Sequence, residues 1–171
     1  MTNVRRTVAL FLFAALGAGA PAQTAKKAPS SAPAAHHTIV TAGDLKWGPA
    51  PPGLPPGAEA AVLSGDPGQT GPFVIRAKFP DGYSVPPHFH PTDENVTVLS
   101  GSLAVGTGDK LDPAAAKTLA AGDFVKMPKA MHHFAIAKGV TTIQVHGMGP
   151  FAVTYVNPND DPRKKTTSER R

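Results

Sequence analysis

Between Thr38 and Val156 the sequence is a succession of short runs rich in β-branched and aromatic residues, each closed within a few positions by Gly, Pro or Asp. The runs are Thr38 to Val40, Ala60 to Leu63, Phe73 to Phe79, Asn95 to Leu99, Ser102 to Val105, Phe124 to Met127, Phe134 to Ala137, Thr141 to Val145 and Phe151 to Val156. Such runs are too short for amphipathic helices, and their close spacing points to a β-sandwich or β-barrel. The exception is Asp112-Pro113-Ala114-Ala115-Ala116-Lys117, where Asp can cap and Pro can occupy the first helical position. A turn or two in a loop is expected there. The chain of 171 residues has room for one such all-β domain and two tails.

The tails differ in kind. Residues 1–22 read as a secretory signal: Arg5 and Arg6 give a positive start, Val8 to Ala18 an apolar run, and Ala20-Pro21-Ala22 a small-residue cleavage site before Gln23. The run is short for a membrane span, so no stable span is expected after cleavage and the mature protein is expected in the periplasm or secreted. The Arg5-Arg6 pair leaves Sec and twin-arginine export both open. Residues 23–37 collapse to Ala, Pro, Ser, Lys and Thr, with His36 and His37 at the end, and read as a disordered linker. Residues 157–171 are polar and basic and read as a disordered tail, leaving residues 38–156 as the folded domain.

The formal net charge of +5 looks like a nucleic-acid signal until the charges are located. Arg5, Arg6, Lys26 and Lys27 lie near the start, and Arg163, Lys164, Lys165, Arg170 and Arg171 near the end. The middle is close to neutral, and no nucleic-acid partner is expected. There is no Cys, which removes disulfides, thiolate ligands and a lipidated cysteine. A bound metal would be held by nitrogen and oxygen alone.

Two segments carry candidate ligands. In Gly82-Tyr83-Ser84-Val85-Pro86-Pro87-His88-Phe89-His90-Pro91-Thr92-Asp93-Glu94, an extended backbone sends His88 and His90 to one face and Phe89 to the other, as a core residue. Pro86 and Pro87 stiffen the approach and Pro91 ends the run. Glu94, after the Pro91-Thr92-Asp93 turn, can return a carboxylate to the same side, with Asp93 as a competitor expected to be exposed. The second segment, Gly122 to Phe134, ends in Pro128 and the pair His132-His133, either of which could complete a shell of three nitrogens and one oxygen.

The first segment matches the first cupin motif, G-x5-H-x-H-x3-E-x6-G, at every fixed position: Gly82, His88, His90, Glu94 and Gly101. The second resembles the second cupin motif, G-x5-P-x-G-x2-H-x3-N, through Gly122, Pro128 and His133. It departs at Ala130, where the family has Gly, and at Ala137, where it has Asn. By this resemblance the last ligand is His133, not His132, and one divalent metal ion sits on His88, His90, Glu94 and His133. The resemblance further implies a jelly-roll barrel (a double-stranded β-helix), commonly as a homodimer, with the metal near one mouth.

Further along, Thr142, Gln144 and His146 alternate with Ile143 and Val145, giving one polar and one apolar strand face. If the polar face looks inward, Gln144 and His146 line a pocket beside the metal, with Tyr83 nearby. Trp47, Phe79, Tyr83 and Phe124 either wall that pocket or fill the core. Fe(II) or Mn(II) suits the mixed shell, and Zn, Ni or Cu could also occupy it. Catalytic residues beyond the ligands are not identifiable. The expected function is metal-dependent chemistry on a small organic molecule, of which a dioxygenase-like reaction is favoured, or non-catalytic binding of a metal or small ligand.

Overall fold

The apolar runs become strands, and two pairs of them fuse. In the computed structural model, which describes residues 37–164, β1 (Gly48–Pro49), β2 (Glu59–Ser64), β3 (Gly71–Phe79) and β4 (Ser84–Phe89) lead into β5 (Glu94–Thr107). Then come β6 (Lys117–Ala120), β7 (Phe124–Met127), β8 (His133–Gly149) and β9 (Thr154–Tyr155). The runs at 95–99 and 102–105 are both part of β5, and those at 134–137 and 141–145 both part of β8. Thr38–Val40 forms no strand, since no neighbour pairs with it, and of the run at 151–156 only Thr154 and Tyr155 pair. The helix-like stretch is a turn: Asp112 accepts from the Ala114 amide through Oδ1 (3.0 Å) and from the Ala115 amide through its carbonyl (3.1 Å).

Every strand pairing is antiparallel, in the order β1-β2-β3-β8-β4-β9. β8 is the spine. One of its edges pairs with β3 from Thr141 to Gly149 and with β4 at His133, Ala135 and Ile136, while the other runs along β5, which also pairs with β6 and β7. The sheet curls into a jelly-roll barrel whose inner face holds Phe73, Phe79, Val85, Val96, Val98, Leu103, Ile143 and Val145. Burying each of these larger side chains stabilises the fold by roughly 1.5–3 kcal/mol.

Two irregularities keep the inner face apolar along strands that would otherwise drift out of phase. On β5 the inward residues are Glu94, Val96 and Val98 before Gly101, and Leu103 and Val105 after it. The parity change falls where the β5–β8 register shifts, between Val98 and Ser102. Gly101 sits there at φ +76, and a β-carbon would lie 2.4 Å from the Val140 carbonyl oxygen, so only Gly fits. On β4 the register shifts between Val85 and His88. Pro86 and Pro87 have no amide hydrogen to give the ladder, and the resulting bulge turns both Val85 and His88 inward.

The signal-like residues 1–22 and most of the 23–37 linker lie outside the described residues. Residues 157–164 hold a 3-10 turn at Pro158–Asp160, followed by Arg163. The Arg163 guanidinium donates to the Asp161 carboxylate (Nε 2.7 Å, Nη2 2.8 Å) and to the Val153 carbonyl (3.0 Å). No helix among the described residues is long and apolar enough to cross a membrane.

Candidate metal centre

His88 and His133 face each other directly across the β4–β8 ladder, with ring centroids 4.2 Å apart. His90 follows two residues after His88, just past the end of β4, with its ring 5.0 Å from His88 and 5.3 Å from His133. All three are buried, and each offers one nitrogen within 4.8 Å of the others, a group able to hold a metal ion. Glu94, the first residue of β5, is also buried, and its Oε2 lies 3.4 Å from His90 Nε2 and 3.2 Å from His133 Nε2.

The backbone decides which nitrogen each ring presents. His88 Nδ1 is 2.7 Å from the Pro86 carbonyl, His90 Nδ1 2.8 Å from the Ala152 carbonyl, and His133 Nδ1 2.9 Å from the Met131 carbonyl. A carbonyl only accepts, so each Nδ1 carries the hydrogen. In the neutral ring, Nε2 is then a lone pair, the form that binds a metal, and its direction is held by the second bond. Nε2 of His90 and of His133 are buried and make no hydrogen bond, despite their proximity to Glu94. Two orphaned acceptors beside a buried carboxylate are unfavourable unless a cation lies among them, and the donor set of imidazole nitrogen and carboxylate oxygen suits a first-row divalent ion.

Electrostatics agree with this arrangement. Burial, with His133 and His90 alongside, lowers the His88 imidazole to about 3, so it stays neutral near pH 7. Burial alone would raise the Glu94 carboxyl, but positive charge at His133 and His90 Nε2, a proton in the metal-free protein, outweighs that and holds it below the usual carboxylate range. Glu94 is therefore an anion facing uncharged His88.

The four residues sit at the wall of a cavity of about 460 Å³ inside the barrel. Phe79, Val96, Ile143 and Val145 line it, whereas Gln144 and His146 do not. The expectation of a polar pocket face is corrected: the apolar parity of β8 looks inward because it packs against Ile75 and Val96, while Gln144 accepts from Arg76 Nε (3.3 Å) on the outer face. His146 lies on that same face beside Phe124, which is 54% exposed and neither walls the cavity nor fills the core. Tyr83 does not line the cavity either. It stacks on Phe79 with centroids 4.9 Å apart and donates its hydroxyl to the Pro55 carbonyl, and burial raises its pKa. Trp47 is half-buried under the Lys78 ammonium.

His132 points away from the centre, its Nδ1 2.6 Å from Asp109 Oδ1 and its ring stacked on Phe89. Phe89 thus faces opposite the ligands as expected, but half-buried under His132 instead of in the core. Asp93, expected to be exposed, is half-buried but off the centre, paired with Lys126 (2.7 Å) and accepting from the Lys129 amide (2.8 Å). Ala130 holds φ +61, alone among the described non-Gly residues in having a positive φ, and its amide donates to the His90 carbonyl (3.0 Å). The turn keeps the glycine conformation that the cupin motif calls for, on an alanine. Ala137, in place of the motif's Asn, is buried in the apolar core.

Sequence reasoning missed Phe151 and Ala152. Phe151 stacks on His90 at 4.2 Å between centroids and 18° between planes, and the Ala152 carbonyl orients the same ring. The only signal was an aromatic residue after Gly149-Pro150.

A family model described as "Domain of unknown function (DUF4437)" matches residues 38–165. The chain belongs to the DUF4437 family, and its barrel has the cupin fold. This cupin is 40% identical over 62 residues to a rice (Oryza sativa subsp. japonica) relative named "Putative germin-like protein 9-2", covering 36% of this chain and 29% of the length of that one. Its fold is similar to a Methylibium petroleiphilum structure described as a "putative acetylacetone dioxygenase" (TM-score 0.58, 20% identity, 75% of this chain and 86% of that one). It is likewise similar to the polyketide cyclase RemF of Streptomyces resistomycificus (TM-score 0.57, 19% identity, 77% and 94%). At these identities the likeness shows the fold of the DUF4437 cupin, and two such different names on one barrel leave the chemistry to the site.

Proposed function

We propose that this cupin binds one divalent metal ion, Fe(II) or Mn(II) before Zn, Ni or Cu, through His88, His90, His133 and Glu94. We further propose that it performs metal-dependent chemistry, of the dioxygenase kind before isomerisation or decarboxylation, on a small organic molecule held in the barrel. The observation that carries the reading is the fixed orientation of three imidazoles by the Pro86, Ala152 and Met131 carbonyls, with the Glu94 carboxylate against two of them. A metal held this way supplies Lewis acidity and open coordination positions for substrate or oxygen. The chain's own residues orient the ligand nitrogens, keep Glu94 ionised and exclude water with the apolar wall. Elemental analysis tests the site: near-stoichiometric metal in the wild type and background metal in His88→Ala are expected, and equal metal in both would overturn it. Oxygen uptake with diketones and phenols, compared with Glu94→Ala, tests the reaction.

One observation favours a second reading, binding without turnover. Apart from the ligand set and Arg163, no ionisable side chain among the described residues lines the cavity, so these residues offer no separate acid or base. Metal retention and ligand binding with no consumption of ligand would select it. Export to the periplasm or beyond, directed by residues 1–22, and assembly as a homodimer belong to the same proposal. N-terminal sequencing of the mature protein and its mass in solution test them.

A further inference from the structure

The cavity says more about its ligand than the metal centre does. Besides His88, His90, His133 and Glu94, its only polar side chain among the described residues is Arg163. That guanidinium is already matched by the Asp161 carboxylate and the Val153 carbonyl, so its charge is met before any ligand arrives. The remaining wall is apolar, with Ile75, Val96, Leu103, Ile143, Val145 and Phe151 among its members.

Much of the backbone of the rim is engaged as well. The Pro51 carbonyl accepts from the Leu54 amide (3.0 Å), Gly53 from the Tyr155 hydroxyl (2.8 Å) and Pro67 from the Phe151 amide (2.7 Å). Ala152 and Val153 accept from His90 and Arg163. Pro51, Pro52 and Pro67 have no amide hydrogen to give. A hydroxyl-rich molecule entering this space would leave its water partners and find few replacements.

At the metal end the sign of the charge is also set. A divalent ion on three neutral imidazoles and one carboxylate keeps a net charge of about +1, which in an apolar enclosure favours a singly anionic ligand head. We infer that the cavity takes an apolar organic molecule with one anionic oxygen-donor head, such as an aryl diketone enolate or a phenolate, and excludes polyhydroxylated sugars and sugar acids. The head of that ligand rests on the metal reading proposed above, whereas its body rests on the wall alone. The cavity volume of about 460 Å³ suits a small molecule of this kind.

The test is a titration of the full chain, loaded with Mn(II), against benzoylacetone and D-gluconate, two singly charged oxygen chelators that differ in their bodies. Benzoylacetone is expected to bind at least about tenfold tighter, since each stranded hydroxyl weakens binding by roughly that factor. Ala135→Phe and, independently, Ala60→Leu fill the wall and are expected to weaken benzoylacetone binding about tenfold or more while metal content and melting temperature hold. Two residues are filled so that a folding defect in one does not decide the outcome. Equal or tighter gluconate binding, or benzoylacetone binding unmoved by both substitutions, overturns the inference. The metal-free protein separates the two readings through an apolar fluorescent probe, anilinonaphthalene sulfonate. Should the chain hold no metal yet bind the probe in a way that Ala135→Phe abolishes, the metal reading falls and the apolar ligand class stands. No probe binding and no benzoylacetone binding overturn the apolar ligand class, while the metal content decides the metal reading by itself.

Discussion

The two faces of the barrel wall use similar residues for opposite ends. On the outer face polar groups meet one another: Arg76 with Gln144, half-buried, and Lys78 with Glu59 and Lys126 with Asp93, nearer to solvent. On the inner face the polar groups are few and buried, and each histidine is tied by Nδ1 to a backbone carbonyl, not to another side chain. The outer pairs can separate and be replaced by water, so each contributes little. The inner set has no such exchange, and its orientation is set by the same backbone that forms the barrel. The adjacent residues His132 and His133 show the contrast within one dipeptide. One is half-buried on Asp109 and Phe89, and the other is 2% exposed against His88.

The largest effect that would break this comparison lies at His133. His133→Ala removes one of three converging nitrogens, and metal retained after dialysis is expected to fall by tenfold or more, whereas His132→Ala leaves it unchanged. Adding metal then raises the melting temperature of the His132 variant but not of the His133 variant, measured by calorimetry. Second comes the support behind the centre. Phe73 is buried and its ring lies 5.1 Å from Phe151, which stacks on His90, so Phe73→Ala is expected to cost about 3–5 kcal/mol in denaturant unfolding.

Acid sharpens the contrast on the metal-free protein. The folded His88 is lowered to about 3 from 6.5, and Glu94 is also lowered. The unfolded chain therefore binds more protons on the acid side, so the stability these groups contribute is present above pH 6.5 and is lost as pH falls toward 3. Melting temperature of the apo protein is expected to drop through that window, and the drop should be smaller in His88→Gln.

Smaller effects remain. Ala130 holds a left-handed backbone at φ +61, so Ala130→Gly is expected to stabilise by about 0.5–1 kcal/mol, read from the denaturation midpoint. Glu59→Gln, on the outer face, is expected to change stability by no more than about 1 kcal/mol. A larger loss there would mean that the outer face is not the exchangeable surface described above.

Much of this protein is local in origin and so was legible. Strand runs, the turn glycines and the spacing of His88, His90 and Glu94 follow from period-two geometry and from residues that fix φ. The all-β class and the ligand segments could be read from them directly. His133 came from likeness to a motif, because periodicity alone left it equal to His132. Other features needed the whole fold. Whether Gln144 and His146 or Ile143 and Val145 face the cavity depends on which side β3 and β5 curl toward, and an alternating strand carries both faces equally. The phase changes at Gly101 and at Pro86-Pro87 align Val96 with Leu103 and Val85 with His88, and they arise from pairing with β8. Phe151 and the Ala152 carbonyl reach His90 across 61 and 62 residues of chain, a separation at which sequence pattern carries no contact. The sequence by itself determined which groups could bind a metal; the tertiary structure decided which way they point and what surrounds them, because orientation and burial belong to the neighbours a residue acquires only on folding.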